Sequence, residues 1–140
     1  MSAGSSSEDL VDDSGWPLVV IRGPKCYDQA TVAATVNPLI AILDRGKRFC
    51  IEGDLSETTR FEWAEIRSFQ TFLRDHGKRM DEQVTAVALI IPSALVRGAV
   101  KVLFKLKPPR FPYRVVQDHE ASAIYLARSL AEPGTRAASG

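Results

Sequence analysis

Apolar positions along this chain alternate between a period of two and a period near 3.6, and the alternation repeats four times. Pro17 to Arg22 is a β-branched run closed by Gly23-Pro24 and reads as a buried strand. Asp28 is placed to cap a helix whose Val32, Val36, Leu39, Ile40 and Leu43 share one face, with Gly46 as its stop. Pro38, inside that helix, is expected to kink or split it. Arg48 to Asp54 reads as a second strand, followed by the polar turn Ser56-Glu57-Thr58-Thr59. A second helix, Arg60 to His76, turns Ile66, Phe69 and Leu73 inward and ends at Gly77. Val84 to Ile91 is apolar on both faces, as an inner strand of a parallel sheet is. Ser93 to Lys105 forms a third helix that Pro108-Pro109 forbids to continue. Tyr113 to Val116 is a short fourth strand, and Asp118 caps a last helix carrying Ala121, Ile124, Ala127 and Leu130. Strand then helix, four times over, predicts one α/β domain with a mainly parallel four-stranded sheet and right-handed crossovers.

The ends fall outside this pattern. Met1 to Gly15 is rich in Ser, Gly and Asp with little to bury, and it is expected to stay mobile as an acidic leader, as is the tail Pro133 to Gly140. The domain is expected over residues 16–132. A composition of 45% hydrophobic and 25% charged residues suits a single compact unit. The longest apolar run, Val84 to Pro92 interrupted by Thr85, is far short of the roughly 20 residues of a membrane span. No basic start with an apolar stretch marks the N-terminus for export, so the expected location is the cytoplasm. Cys26 and Cys50 are too few for a disulfide framework and lack C-x-x-C spacing.

Charge is informative once it is divided. The 18 basic and 17 acidic residues sum to +1, a balance without the basic excess of a nucleic-acid-binding domain. Yet Glu8, Asp9, Asp12 and Asp13 stand without a basic neighbour in the leader, and Val84 to Gln117 holds no acidic residue. That second stretch carries Arg97, Lys101, Lys105, Lys107, Arg110 and Arg114, which reads either as a solvated face or as a binding patch.

Catalytic motifs are absent. There is no G-x-x-x-x-G-K-[ST], no G-x-G-x-x-G after the first strand and no G-x-S-x-G elbow. Cys26 and His119 are the best nucleophile and base pair, because the first strand's exit and the last helix's entry both lie at the carboxyl end of the sheet. Neither an orienting third group nor an oxyanion donor can be named for them. Asp54 at the same edge is a lone candidate acid or metal ligand, and no metal or cofactor is expected.

The third helix is the most informative segment. At 100° per residue, Leu95, Ala99, Val102 and Leu106 fall together as the face expected to cover the sheet. A second apolar stripe, Val96, Val100 and Phe104, lies beside it with Leu103 bridging the two. The combined arc of about 200° exceeds the roughly 100° of a singly packed surface helix. Arg97, Lys101 and Lys105 form an adjoining basic stripe. Three covers compete for the excess: internal packing, a protein interface formed with a partner or a second copy, and an anionic membrane entered by Phe104 and Phe111. In the second helix, Phe61, Trp63 and Phe72 cannot all point inward with Ile66, Phe69 and Leu73, so one or two of these aromatics are expected at the surface.

The strand and helix alternation is entered through Trp16-Pro17-Leu18-Val19-Val20-Ile21, and three stretches carry a family likeness: Phe49-Cys50-Ile51-Glu52-Gly53-Asp54-Leu55-Ser56, Val87-Ala88-Leu89-Ile90-Ile91-Pro92-Ser93, and Val116-Gln117-Asp118-His119-Glu120-Ala121. Over about residues 16 to 131 the chain resembles the STAS domains, relatives of bacterial anti-sigma-factor antagonists. The resemblance implies a protein that works by contact, binding a kinase or anti-sigma factor through the end of the sheet and losing it when a serine in a D-S-S-G-like turn is phosphorylated. The corresponding turn here runs Asp54-Leu55-Ser56-Glu57-Thr58-Thr59 and lacks that motif, and Asp13-Ser14-Gly15 precedes the first strand. Ser56, Thr58 and Thr59 remain candidate phosphate acceptors at the amino end of a helix, set against a plain capping role. The expected function is a non-enzymatic signalling or assembly module. It would dock a protein partner, or itself, through Asp54, Ser56 and Trp63 at the sheet edge and Val96, Arg97, Val100, Lys101, Phe104 and Lys105 of the third helix. The alternative is a small-ligand or lipid carrier, or an enzyme, using the pocket at the carboxyl end of the sheet.

Overall fold

The computed structural model describes residues 10–106 and 108–131. Along these residues the chain forms β1 (Val11–Gly15), β2 (Leu18–Arg22), α1 (Gln29–Leu43), β3 (Phe49–Asp54), α2 (Trp63–Gln83), β4 (Val84–Ile90), α3 (Ala94–Leu106), β5 (Tyr113–Val116) and α4 (His119–Ala131). The strands lie in sequence order, with β1 antiparallel to β2 and every later neighbour parallel. The α/β class and the parallel sheet agree with the sequence pattern, but the described sheet has five strands where four were expected.

The extra strand comes from the leader expected to be mobile. β1 contributes one apolar side chain, Val11, and pairs Val11 with Ile21 and Asp12 with Val20. Charge supplies what burial does not: Asp12 lies 3.8 Å from the Arg22 guanidinium, and Asp13 pairs with Arg45. Arg45 in turn sits over the Trp16 ring, which stacks on the fully buried Phe49 at 5.6 Å. The rest of the expected leader, residues 1–9, and the expected tail lie outside the described residues.

Strand order explains the layers. Three crossovers step in the same direction across parallel neighbours, so a common right-handed sense puts α1, α2 and α3 on one face of the sheet. There Val19, Phe49, Ile51, Val87, Leu89 and Ile91 meet apolar residues of all three helices in one continuous core. α4 follows the last strand, is not a crossover, and covers the opposite face, where Leu126 packs on Cys50, Ala86 and Ala88.

The helices keep the expected order with three corrections. α1 begins as expected: the Asp28 carboxylate accepts from the Thr31 backbone N–H at 2.8 Å, and the Thr31 hydroxyl accepts from the Asp28 N–H at 2.8 Å, a reciprocal capping box. It is not split, however, and runs unbroken through Pro38. α2 does not stop at Gly77 but continues to Gln83. The glycine costs about 1 kcal/mol in a helix interior. The extra turns offset this by burying Met80, pairing Arg79 with Asp44 at 2.7 Å and donating from Gln83 Nε2 to the Leu43 carbonyl at 3.0 Å. In α4 the buried face is Ser122 and Leu126, while Ile124, expected among its apolar positions, is exposed.

Candidate functional site

The carboxyl ends of β3, β4 and β5 lead into the loop after Asp54 and into the starts of α3 and α4. Three groups of residues collect around this edge.

The first is a polar cluster on the α4 side. Successive side chains alternate across a strand, so Glu52 and Asp54 of β3 share the face that α4 covers. Glu52 is only 8% exposed, and a buried carboxylate needs partners. Its Oε1 accepts from the Ser122 hydroxyl at 2.5 Å, and its Oε2 lies 3.0 Å from His119 Nδ1. The other ring nitrogen, Nε2, lies 3.3 Å from Asp54 Oδ2. A carboxylate can only accept, so both contacts are hydrogen bonds at once only when the imidazole carries two N–H groups. The first two turns of α4 are thus tied to β3 through His119 and Ser122. Deeper on the same face, the Thr85 and Ser129 hydroxyls are 2.9 Å apart. The expected pairing of Cys26 with His119 does not form: both ring nitrogens face carboxylates, and the Cys26 thiol donates to the Tyr27 carbonyl at 3.6 Å. Glu52 escaped the sequence reading. Its signal was one acid inside an otherwise buried strand, with His119 and Ser122 three residues apart on the last helix.

The second group is the loop itself. Asp54 Oδ1 accepts from the Ser56 backbone N–H at 3.0 Å and from its hydroxyl at 2.6 Å, so the loop leaves the sheet through a turn closed by its own side chains. Ser56 and Thr59 are exposed. Thr58, expected as a phosphate acceptor, is 1% exposed and donates to the Pro24 carbonyl at 2.7 Å, which makes it part of the packing under the loop. Gly23 lies beneath it, and a Cβ there would fall 2.5 Å from the Thr58 hydroxyl. The expected setting of these residues at a helix start is also corrected, because α2 begins only at Trp63, after Glu62.

The third group is a groove. α3 carries both apolar stripes that its sequence shows, but their roles are exchanged. Val96, 1% exposed, and Val100 and Leu103 face the sheet, and Phe104 leans on Phe111 and Tyr113 with ring centroids 6.4 and 4.6 Å away. Val96 and Val100 are therefore core and not contact residues, and Phe111, expected as a membrane-inserting residue, is buried. Arg97 is turned inward, its Nη1 donating to the Ile91 and Pro92 carbonyls at 2.7 and 3.0 Å, which fixes the rotation of the helix. The stripe expected on the sheet looks the other way: Leu95 is 75% exposed, and with Ala94, Gly98, Ala99 and Val102 it forms one wall of a groove of about 820 Å³. The opposite wall is the start of α2, where Trp63 is 59% exposed. Lys101 and Lys105 are exposed on the adjoining stripe of α3.

Titration reinforces the division between these groups. Burial pushes the Cys50 thiol up to about 11, so it stays protonated as packing against α4. Burial also raises the Tyr27 hydroxyl well above its ordinary range. Among the described residues no His, Cys, Asp and Glu group has the arrangement of a metal site, and no helix is long and apolar enough to cross a membrane. Comparison with protein-family models finds no match, and comparison with curated proteins finds none either, so the chemistry of this edge stands on its geometry alone.

Proposed function

We propose that this chain is a non-enzymatic docking module, a divergent STAS-like domain, that receives an amphipathic segment of a partner protein in the groove between the start of α2 and α3. The observation that carries the reading is the joint exposure of Trp63 and Leu95 on the walls of one groove. Single exposed apolar residues are ordinary, whereas a concave apolar strip beside a charged stripe is the composition of a contact site. Lys101 and Lys105 border the α3 wall and select a partner with acidic residues along its flank. Arg60 and Glu62, just after the loop that carries the exposed Ser56, add polar groups to the groove's α2 wall. The STAS-like reading draws on the three quoted stretches and on the strand and helix alternation. The non-enzymatic reading is supported by the sequence, which carries no phosphate-binding glycine motif and no nucleophile elbow.

A photo-crosslinking residue at Leu95, with Ile124 on the α4 side as the control position, identifies the occupant. Calorimetry of that purified partner then decides. Trp63→Ala with Leu95→Asp is expected to weaken binding about thirtyfold or more while the fold persists. Unchanged affinity in this variant overturns the proposal. Light scattering over a concentration series separates the remaining case: a dimer abolished by the same substitutions makes the occupant a second copy and replaces the foreign partner.

A further inference from the structure

We propose that the core beneath α1, α2 and α3 contains a binding site for a small apolar molecule the size of a monocyclic aromatic hydrocarbon. The inference is independent of docking in the groove.

A cavity of about 140 Å³ lies between the three-helix face of the sheet and the helices above it. Ile51, Gly53 and Leu89 line it from the strands, and Phe72, Leu73 and Leu103 from the helices. Its wall exposes no polar surface. Protein interiors pack at the density of organic crystals and leave few voids larger than a water molecule, so a space of this size is an exception to be explained. Water does not fill it, because water needs two or more polar partners, and an engineered cavity of about 150 Å³ with a comparable wall stays dry and takes up benzene.

Gly53, next to last in β3, the central strand, lines the cavity beside Leu89. A Cβ at that position would fall 2.7 Å from Leu89 Cδ2, so the neighbouring leucine occupies the room that a residue there would need. The glycine thus lets the Leu89 side chain close up against β3, and both line the cavity. Above it, Tyr27, Phe61 and Phe69 pack ring against ring with centroids 5.0 to 5.7 Å apart. Phe61 is half-buried and lines both this cavity and the outer groove, so the two spaces meet at one aromatic ring. The ligand class follows from the wall: hydrocarbon without a charge or an obligatory hydrogen bond, since either would be buried without a partner.

The test is the thermal midpoint of the full chain with benzene or toluene, and with benzoate as a probe of the same ring carrying a charge. At about ten times Kd, benzene is expected to raise Tm by about 3–6 °C, and benzoate to leave it unchanged. Leu103→Phe fills the cavity and is expected to abolish the shift, while Leu95→Asp alters only the groove and is expected to keep it. Should Leu103→Phe fail to fold, Val87→Ile is the smaller filling change and is expected to reduce the shift. Ligand-observed NOEs from benzene to the Leu73 and Leu89 methyls then locate the site directly. No shift with either hydrocarbon, an equal shift with benzoate, or a shift lost in Leu95→Asp but kept in the filled variant overturns the proposal.

Discussion

The two faces of the sheet are held by different physics. On the three-helix face, 21 buried described residues form one apolar cluster with large aromatic members, and the packing leaves a cavity. On the α4 face, the buried apolar cluster is Cys50, Ala86, Ala88 and Leu126, mostly small side chains that let the helix approach closely. What it lacks in area it replaces with hydrogen bonds, Glu52 to Ser122 and His119, and Thr85 to Ser129. Apolar burial is large and non-directional and tolerates several packings. A buried carboxylate with oriented donors tolerates one, because any slip of α4 along the sheet strands the charge. The first face therefore supplies most of the stability, and the second sets where the last helix sits.

The comparison can be broken most forcefully at Phe49, fully buried and stacked on Trp16. Phe49→Ala is expected to cost about 3–5 kcal/mol in urea unfolding, with a single cooperative transition. Next in size, Ser122→Ala removes a donor to the buried Glu52 carboxylate and is expected to cost about 1.5–3 kcal/mol. Hydrogen exchange should then rise in α4 and β5 while α1 and α2 keep their protection; a uniform rise would mean that the faces do not differ in the way described. Smaller still, Leu95→Asp on the outer surface of the three-helix layer is expected to change stability by no more than about 0.5 kcal/mol. A greater loss would show that the groove wall belongs to the core.

The smallest effect concerns acid. Hydrogen bonds from Thr31 hold Asp28 below its ordinary carboxyl value of 3.8. A depressed folded-state pKa contributes stability that is present above the ordinary value and lost as pH falls through the folded one. Acid unfolding below pH 3.8 should therefore weaken α1 through its cap. Asp28→Asn keeps an acceptor without the titration and should flatten that limb of the stability curve, an effect read by circular dichroism across the acid range.

Much of this architecture is legible in the sequence because the elements are strongly periodic. Asp28 as a cap, the doubly apolar Val84 to Ile90 and the break at Pro108-Pro109 each follow from local chemistry. β1 is not legible in that way, since Val-Asp-Asp-Ser-Gly holds one apolar residue and is secured by Arg22 and Arg45 from elsewhere in the chain. The rotation of α3 is equally hidden. Leu95 and Val96 are neighbours on two apolar stripes of similar strength, and the choice between them rests on Arg97 reaching the Ile91 and Pro92 carbonyls and on Phe104 meeting Phe111 and Tyr113. Glu52 was obscured because an acid in a strand reads as a solvent position until the helix that covers it is known.

The strand order also governs how the chain assembles as it is made. Each of β2 to β5 pairs with the strand before it, so the sheet extends at one growing edge and each addition closes only one short crossover. A chain emerging from the ribosome can pack α1 and α2 onto β2 and β3 before β5 exists. The nascent domain therefore spends its synthesis with the α4 face bare, Glu52 still in water, and that carboxylate is desolvated only when the last helix arrives. Both partners of Glu52 lie on α4, so these contacts can form only after every described strand has been made.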